Sequence, residues 1–177
     1  MRAITVVFMT AALMTAILTA TAFARPQAAQ STDDAMKTFA SSADVKALIE
    51  KAKSERKDDQ PLVAEHILQL APYNVNLEYR TAVGPAAVHE HEAEIFYVID
   101  GSATMVTGGK LVNEKRANAE NLNGTGVEGG MSRPVAKGDF IIVPENTPHW
   151  FSAINGTLIL MSVHVPGSAA HIAPISR

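Results

Sequence analysis

Apolar residues near the start of the folded part of the chain recur every three to four positions. Four of them share one face of a helix at that spacing: Val45, Leu48, Ile49 and Ala52. Either Ser41 or Ser42 can cap this helix, and basic residues close to its end complement the helix dipole. The pattern therefore predicts an amphipathic helix over residues 42–56.

From residue 62 onward the period changes to near alternation, with short runs of β-branched and aromatic residues. Turn signals such as Asp100-Gly101 and Asn155-Gly156 separate the runs, and Asn-Gly between two apolar runs is a strong hairpin signal. Many short strands without a second helical block predict an all-β sandwich or barrel. The stretch 110–134 is polar and rich in glycine and asparagine, which predicts a functional loop or a locally disordered segment.

The first 24 residues differ in character from everything that follows. Arg2 is their only charged residue, a long apolar run comes next, and Ala22-Phe23-Ala24 forms an A-x-A cleavage pattern. We predict a signal peptide over 1–24, so that the mature protein begins at Arg25 and is secreted or periplasmic. The alternative is a membrane anchor, since the run approaches the roughly 20 residues that a span needs. Five threonines in the run favour cleavage, after which we expect no stable membrane insertion.

The remaining chain divides by pattern into a leader with the helix (25–60), a barrel (61–167) and a short tail (168–177). The 177 residues include 15 Lys+Arg and 18 Asp+Glu, a formal charge of −3, and no basic cluster occurs. This composition argues against a nucleic-acid partner. There is no cysteine, so disulfides, thiol catalysis and thiolate metal sites are excluded. Any metal must be held by histidines and carboxylates.

Two of the six histidines, His89 and His91, are two residues apart, which puts their imidazoles on one face of an extended strand. Glu94 follows at once, and His149 comes 58 residues after His91 behind a proline-containing turn. Imidazoles and a carboxylate that converge on one point bind a borderline divalent metal. The alternative interpretation of the histidine pair is a solvated edge strand. His66, His164 and His171 are predicted to be structural or solvated and not to bind the metal.

These residues and their intervals resemble the two motifs of the cupin superfamily. The first motif is matched by Gly84, His89, His91, Glu94 and Gly101, and the second by Gly138, Pro144, Asn146 and His149. The resemblance covers roughly residues 77–165 and implies an antiparallel double-stranded β-helix, that is, a jelly-roll barrel. It implies His89, His91, Glu94 and His149 as metal ligands. Asn146 replaces a family glycine, which is a mild change because Asn tolerates the left-handed conformation.

One interval departs from the family pattern, because only two residues separate His91 from Glu94. An alignment anchored on Glu94 puts His89 in the second histidine position and Ala87 in the first. His91 then lies in a turn. We expect it to be the fourth ligand if the strand continues through it, and to point to solvent if the chain turns at Glu90.

The resemblance implies an exported, small-molecule protein with one divalent metal ion (Fe, Mn, Zn, Ni or Cu) and oxygenase, isomerase or lyase chemistry on a small oxygenated substrate. Arg80, Phe96, Tyr97 and Trp150 are the candidate substrate-pocket residues, and no catalytic residue is assigned. Two alternatives stay open: a cupin that binds a small ligand without turnover, and a barrel with a degenerate, empty metal site. Whether the chain forms a homodimer also stays open.

Overall fold

The structure is a computed structural model that describes residues 36–167. The predicted signal peptide, its cleavage site and His171 lie outside the described residues. Within the described part, no helix combines the length and the apolar character required to cross a membrane.

The predicted helix is present as α1, Ser42–Glu55. Ser41 is its N-cap and forms a capping box with Asp44. The Ser41 hydroxyl accepts a hydrogen bond from the Asp44 amide at 3.2 Å, and the Asp44 carboxylate accepts one from the Ser41 amide at 2.7 Å. The helix ends where Arg56 adopts an extended conformation. These local bonds fix where the helix begins, and its apolar face then determines what it packs against.

Thirteen strands follow the helix within residues 36–167. They are β1 (Leu62–Leu70), β2 (Tyr73–Arg80), β3 (Ala86–His89), β4 (Glu92–Asp100), β5 (Ser102–Thr107), β6 (Lys110–Val112), β7 (Lys115–Arg116), β8 (Asn121–Gly124), β9 (Gly126–Glu128), β10 (Met131–Ala136), β11 (Phe140–Val143), β12 (His149–Ile154) and β13 (Leu158–Pro166). One sheet has the order β1-β2-β13-β4-β11 and a second has the order β10-β5-β12-β3-β8-β7. Strands β6 and β9 form a small third sheet. All pairings are antiparallel, so the predicted all-β jelly roll with an N-terminal helix is confirmed.

Strand alternation sorts the side chains into two apolar clusters. The first lies between the two large sheets and includes Phe96, Val98, Met105 and Phe151. The second lies on the opposite face of the five-stranded sheet, where α1 packs against residues such as Leu77. The five-stranded sheet is therefore apolar on both faces. The candidate site lies on its inner face, where Glu94 of β4 pairs with His164 of β13.

The polar stretch 110–134 is more ordered in secondary structure than its glycine content suggests. It contains β6 to β9 and the first part of β10. Strand β8 pairs with β3, which brings Asn121 opposite His89. The expected loop thus contributes a strand that borders the candidate site.

Candidate metal centre

The buried carboxylate of Glu94 lies at the centre of a group of three histidines. Its Oε2 atom is 3.2 Å from Nε2 of His89 and 3.1 Å from Nε2 of His149, and its Oε1 atom is 3.4 Å from Nε2 of His164. Ligand atoms of His89, Glu94 and His164 all lie within 4.8 Å of one another. Glu94 and His149 are nearly inaccessible, whereas the His89 and His164 side chains are 18% and 16% exposed. Solvent therefore reaches these four side chains from the side on which the imidazoles of His89 and His164 lie.

Strand pairing explains why these four side chains meet. His164 of β13 is the direct antiparallel partner of Glu94 of β4, so both side chains project from the same face of the five-stranded sheet. His149 begins β12 and pairs with Ala87 of β3, two residues from His89. Asn146 fixes the turn before His149. Its backbone amide donates a hydrogen bond to the His89 carbonyl oxygen at 2.7 Å, and its φ of 54° lies in the left-handed region. The two sheets thus bring their histidines to one place.

Each histidine is also held through its second ring nitrogen. Nδ1 of His149 lies 3.2 Å from the Thr147 carbonyl oxygen, and Nδ1 of His164 lies 3.1 Å from Oε2 of Glu92. Nδ1 of His89 lies 2.6 Å from Oδ1 of Asn121. These oxygens are acceptors, so each Nδ1 carries the proton and donates it. A neutral ring in this tautomer presents the lone pair of Nε2 to its surroundings, as metal-binding histidines do.

The amide of Asn121 is oriented by a further contact. Its nitrogen donates to Oδ1 of Asn118 at 3.0 Å, so its oxygen is the atom that faces His89. The chain thus supports the imidazole of His89 with two polar side chains from the segment around β8. Such outer contacts fix the ring orientation and the tautomer of a metal ligand.

The distances fit a shared metal ion. Two ligand atoms each about 2.1 Å from a metal are about 3.0 Å apart at a right angle and about 3.4 Å apart at the tetrahedral angle. The three Nε2–carboxylate distances at Glu94, 3.1, 3.2 and 3.4 Å, lie within that range. Oε2 of Glu94 is buried and forms no hydrogen bond with the described residues, despite two close Nε2 atoms. Lone pairs that converge without donors between them are the arrangement that a cation stabilises.

Charge and burial oppose each other at this site. Burial by itself raises the pKa of the Glu94 carboxyl, but the imidazoles of His149 and His89 lower it more, and the resulting pKa lies well below the ordinary range. Burial by itself lowers the pKa of His89, but the contact with Glu94 outweighs it, so the pKa of His89 is raised. The carboxylate is therefore ionised at neutral pH, and His89 takes up a proton more readily than a free histidine does.

The structure brings together three of the four predicted metal ligands, His89, Glu94 and His149. The fourth, His91, is not part of the group. Strand β3 ends at His89, and His91 lies exposed in the bend before β4, with its carbonyl oxygen accepting from the Gly167 amide. The chain therefore turns at Glu90, which was the alternative left open by the short interval to Glu94.

His164 lies in this group, although it was predicted to be structural or solvated. The alternation of side chains along β13 could have indicated that His164 faces the interior. Leu158, Leu160 and Ser162 occupy alternate positions and are fully buried, and His164 is the next residue on that face.

The four predicted substrate-pocket residues are dispersed. Phe96 is fully buried in the barrel, with its ring centroid 6.0 Å from that of His149. Tyr97 lies on the opposite face of β4 and packs against Phe140 outside the barrel, so it does not join Phe96. Trp150 donates from its indole nitrogen to the Gly84 carbonyl at 2.9 Å.

Arg80 is held inside the barrel but away from Glu94. Its Nε donates to Oε2 of the buried Glu78 at 2.8 Å, and its guanidinium lies 5.0 Å from the centroid of the Phe151 ring. Strand pairing puts Arg80 opposite Leu158, whereas His164 lies six residues further along β13. Arg80 therefore stabilises another part of the interior.

One family model and several solved structures are similar to this chain. The family model described as Cupin matches residues 60–174. No curated protein matches the chain. Similar solved structures include KdgF from Halomonas sp. (15% identity, TM-score 0.46, covering 65% of this chain and 89% of that chain). TT1209 from Thermus thermophilus is similar at 15% identity and a TM-score of 0.45, and the match covers 65% of this chain and 92% of that chain. A conserved protein with a double-stranded β-helix domain from Klebsiella pneumoniae is similar at 19% identity and a TM-score of 0.47. The match covers 68% of this chain and 89% of that chain.

Proposed function

Because the chain belongs to the cupin family, we propose that its barrel binds one divalent metal ion through the four side chains around Glu94 and acts on a small oxygenated molecule. The observation that carries the proposal is the convergence of three Nε2 atoms on a single buried carboxylate. The metal is Fe, Mn, Zn, Ni or Cu, since an all-imidazole and carboxylate ligand set suits these ions. Oxygenase, isomerase and lyase reactions are the candidate chemistries.

The histidines and the glutamate have different roles at such a site. His89, His149 and His164 supply neutral nitrogens, and Glu94 supplies the negative charge that offsets part of the metal charge. A divalent ion bound there supplies Lewis acidity, which polarises a carbonyl or lowers the pKa of bound water. Access along the partly exposed imidazoles of His89 and His164 is the approach that a substrate would take.

Ser162 gives further support for a small polar ligand. Its hydroxyl is fully buried, lies on the same face of β13 as His164, and has no hydrogen-bond partner among the described residues. Buried hydroxyls in folded proteins are normally satisfied by protein, water or ligand. We propose that Ser162 contacts a ligand or an ordered water beside the metal.

The test is the metal content of protein purified without chelators, measured by elemental mass spectrometry. We expect about one divalent ion per chain. The variants His149→Ala and His164→Ala should each weaken metal binding by at least about a hundredfold, since loss of a ligand costs more than loss of its outer partner. His91→Ala is the matched control and should retain the metal. Equal metal content in wild type and the His149 variant would reject the site as drawn, and wild type without metal would favour a barrel with an empty site.

Turnover separates the enzyme from the alternative, a cupin that holds a small ligand without reaction. Metal-loaded protein should consume at least one member of a panel of small hydroxy acids, sugar acids and diketones, with the His149→Ala variant as the inactive control. Binding of a panel member without consumption would favour the alternative.

We also propose that the protein is exported. The apolar run of residues 1–24 and its Ala22-Phe23-Ala24 end support this assignment. The mature protein would then bind its metal and substrate in the periplasm or outside the cell.

A further inference from the structure

A row of strand partners leads away from the candidate metal centre on the inner face of the six-stranded sheet. His149 pairs with Ala87, Ala87 pairs with Asn123, and Asn123 pairs with Lys115. Direct antiparallel partners project from the same face of a sheet, so these four side chains lie side by side. The row therefore starts at a proposed metal ligand and ends at a lysine.

The middle of this row is accessible. Ala87 has only a methyl side chain and stays partly exposed, whereas its sequence neighbours Ala86 and Val88 are buried. Beyond Ala87 lies a pocket of about 420 Å³, lined by Asn113, Lys115, Asn123, Gly124 and Thr125. This volume is within the range of small-molecule sites. The row thus connects the metal centre with a pocket that has room for a small ligand.

Two polar side chains of the row have no partner of their own. Within residues 36–167, the amide of Asn123 forms no side-chain hydrogen bond and the ammonium group of Lys115 forms no salt bridge. Their neighbours differ in this respect. Arg116 is held by two bonds to the Glu90 carboxylate at 2.7 and 3.0 Å, and the amide of Asn121 is bonded through both its oxygen and its nitrogen. A free ammonium and a free amide on one face can bind a carboxylate and a hydroxyl group.

The far end of the pocket is held by contacts between two turns. Nδ2 of Asn113 donates to Oγ1 of Thr125 at 3.0 Å, and the Thr125 amide donates to the Val112 carbonyl oxygen at 2.8 Å. These bonds join the turn after β6 to the turn after β8. The φ of Asn113 is 51°, a left-handed conformation that asparagine tolerates. The wall beside Lys115 is therefore defined by the fold before a ligand arrives.

We propose that this row binds a hydroxylated carboxylic acid of the sugar-acid class, with its carboxylate at Lys115, its hydroxyl groups at Asn123 and its other end at the metal. The inference rests on the proposed metal site and names the class of molecule that acts there. Neighbouring strands are about 4.8 Å apart, so the distance from β3 to β7 is about 10 Å. The long lysine side chain bridges part of it, and a chain of roughly four to six carbon atoms fills the remainder.

The charge of Lys115 is what distinguishes a sugar acid from a neutral sugar or polyol. At the inner end of the row, the carboxylates of Glu94 and Glu92, which contact His149 and His164, balance a divalent ion. At the outer end, Lys115 has no acidic partner within the described part of the chain. Hydrogen bonds to an ionised group are roughly twice as strong as those between neutral groups. A carboxylate at Lys115 therefore gains an interaction that the corresponding alcohol lacks.

Calorimetric titration of the metal-loaded protein tests the inference with two sugar acids, D-gluconate and D-galactonate, and with their alcohols, D-glucitol and D-galactitol. We expect at least one acid to bind wild type about tenfold more tightly than its alcohol. Lys115→Met should abolish this preference by weakening the acid and leaving the alcohol unchanged. Asn123→Ala should weaken both by about three- to tenfold, since both carry the hydroxyl groups. Lys110→Met is the matched control, because Lys110 is an exposed lysine of β6 that does not line the pocket.

Metal content and circular dichroism should equal those of wild type in all three variants, because neither Lys115 nor Asn123 is a proposed metal ligand. A metal-loaded wild type that binds neither acid at about 10 mM, a concentration that detects even weak binding, would overturn the inference and leave the metal site standing. Equal binding of an acid by wild type and Lys115→Met would overturn it too, and would assign the carboxylate to the metal. A wild type that holds no metal would overturn the proposed function, and this inference with it.

Discussion

Removal of the Asn121 amide should weaken metal binding without removing any metal ligand. Oδ1 of Asn121 accepts the Nδ1 proton of His89 at 2.6 Å, and Asn118 holds the amide in that orientation. In the Asn121→Ala variant this acceptor is lost, so the ring of His89 can rotate and can place its proton on Nε2. The lone pair that faces Glu94 is then available for only part of the time.

The expected magnitude follows from the position of this contact. Loss of an outer partner of a metal-binding histidine typically weakens metal binding by about 10- to 100-fold, which corresponds to about 1.4–2.7 kcal/mol. Because the His89 side chain is 18% exposed, water can replace part of the lost bond and a larger effect is not expected. At a metal concentration of about 100 times Kd, binding stabilises the fold by about 2.7 kcal/mol, and a hundredfold loss reduces this to about 0.4 kcal/mol. The unfolding temperature should then fall by roughly 5–9 °C.

The assay is competition with a chromophoric chelator at pH 7.5, followed by thermal unfolding with and without metal. Asn76→Ala is the matched control, because Oδ1 of Asn76 bonds Nδ1 of His66 at 2.8 Å, an equivalent contact to a histidine outside the site. Asn121→Asp keeps an acceptor oxygen for His89 but loses the donation to Asn118, and it should bind metal more tightly than Asn121→Ala. Equal metal affinity in Asn121→Ala and wild type, or equal losses in Asn121→Ala and Asn76→Ala, would refute the role assigned to Asn121.

Three other predictions concern pH, the helix cap and the leader. A proton on His89 competes with the metal, so metal affinity should fall as the pH drops through the raised pKa of His89. The metal-induced rise in unfolding temperature should therefore be smaller at pH 6 than at pH 8. Ser41→Ala should cost about 1 kcal/mol of stability in denaturant unfolding through loss of the capping box, whereas Ser54→Ala, near the helix end, should cost less. Intact-mass measurement of the exported protein should give a chain that begins at Arg25, and a retained leader would favour an anchored form.

The fold was predictable because its signals are local. Periods of 3.6 and 2 residues and the Asp-Gly and Asn-Gly turns place the helix and most of the strands. His89, Glu94 and His149 were predictable as a group from the resemblance of their spacing to two family motifs. His91 shares a face with His89 only if the strand extends through both, and the bend at residues 90 and 91 separates them.

Two members of the site depend on contacts between distant parts of the chain. His164 reaches Glu94 through the register of β13 against β4, which joins residues 70 positions apart. Asn121 lies in the glycine-rich stretch, where no alternation indicates a strand, and it meets His89 only because β8 pairs with β3. Register of this kind is set by the packing of the whole barrel, so the local pattern did not contain it.

The tautomers of the histidines bear on the proposed cation at this site. Thr147 and Glu92 can only accept hydrogen bonds at the contacts with His149 and His164, so those rings turn lone pairs toward the Glu94 carboxylate. Lone pairs facing a buried negative charge are unfavourable unless a positive charge lies among them. Without metal that charge must be a proton on an imidazole, which agrees with the raised pKa of His89. The stability from that proton is present below the ordinary histidine pKa and is lost as the pH rises through the raised one, whereas stabilisation by metal grows over the same interval. Proton and metal therefore exchange roles as the pH rises through the raised pKa of His89, and above that pH the four side chains should stabilise the metal-bound form most.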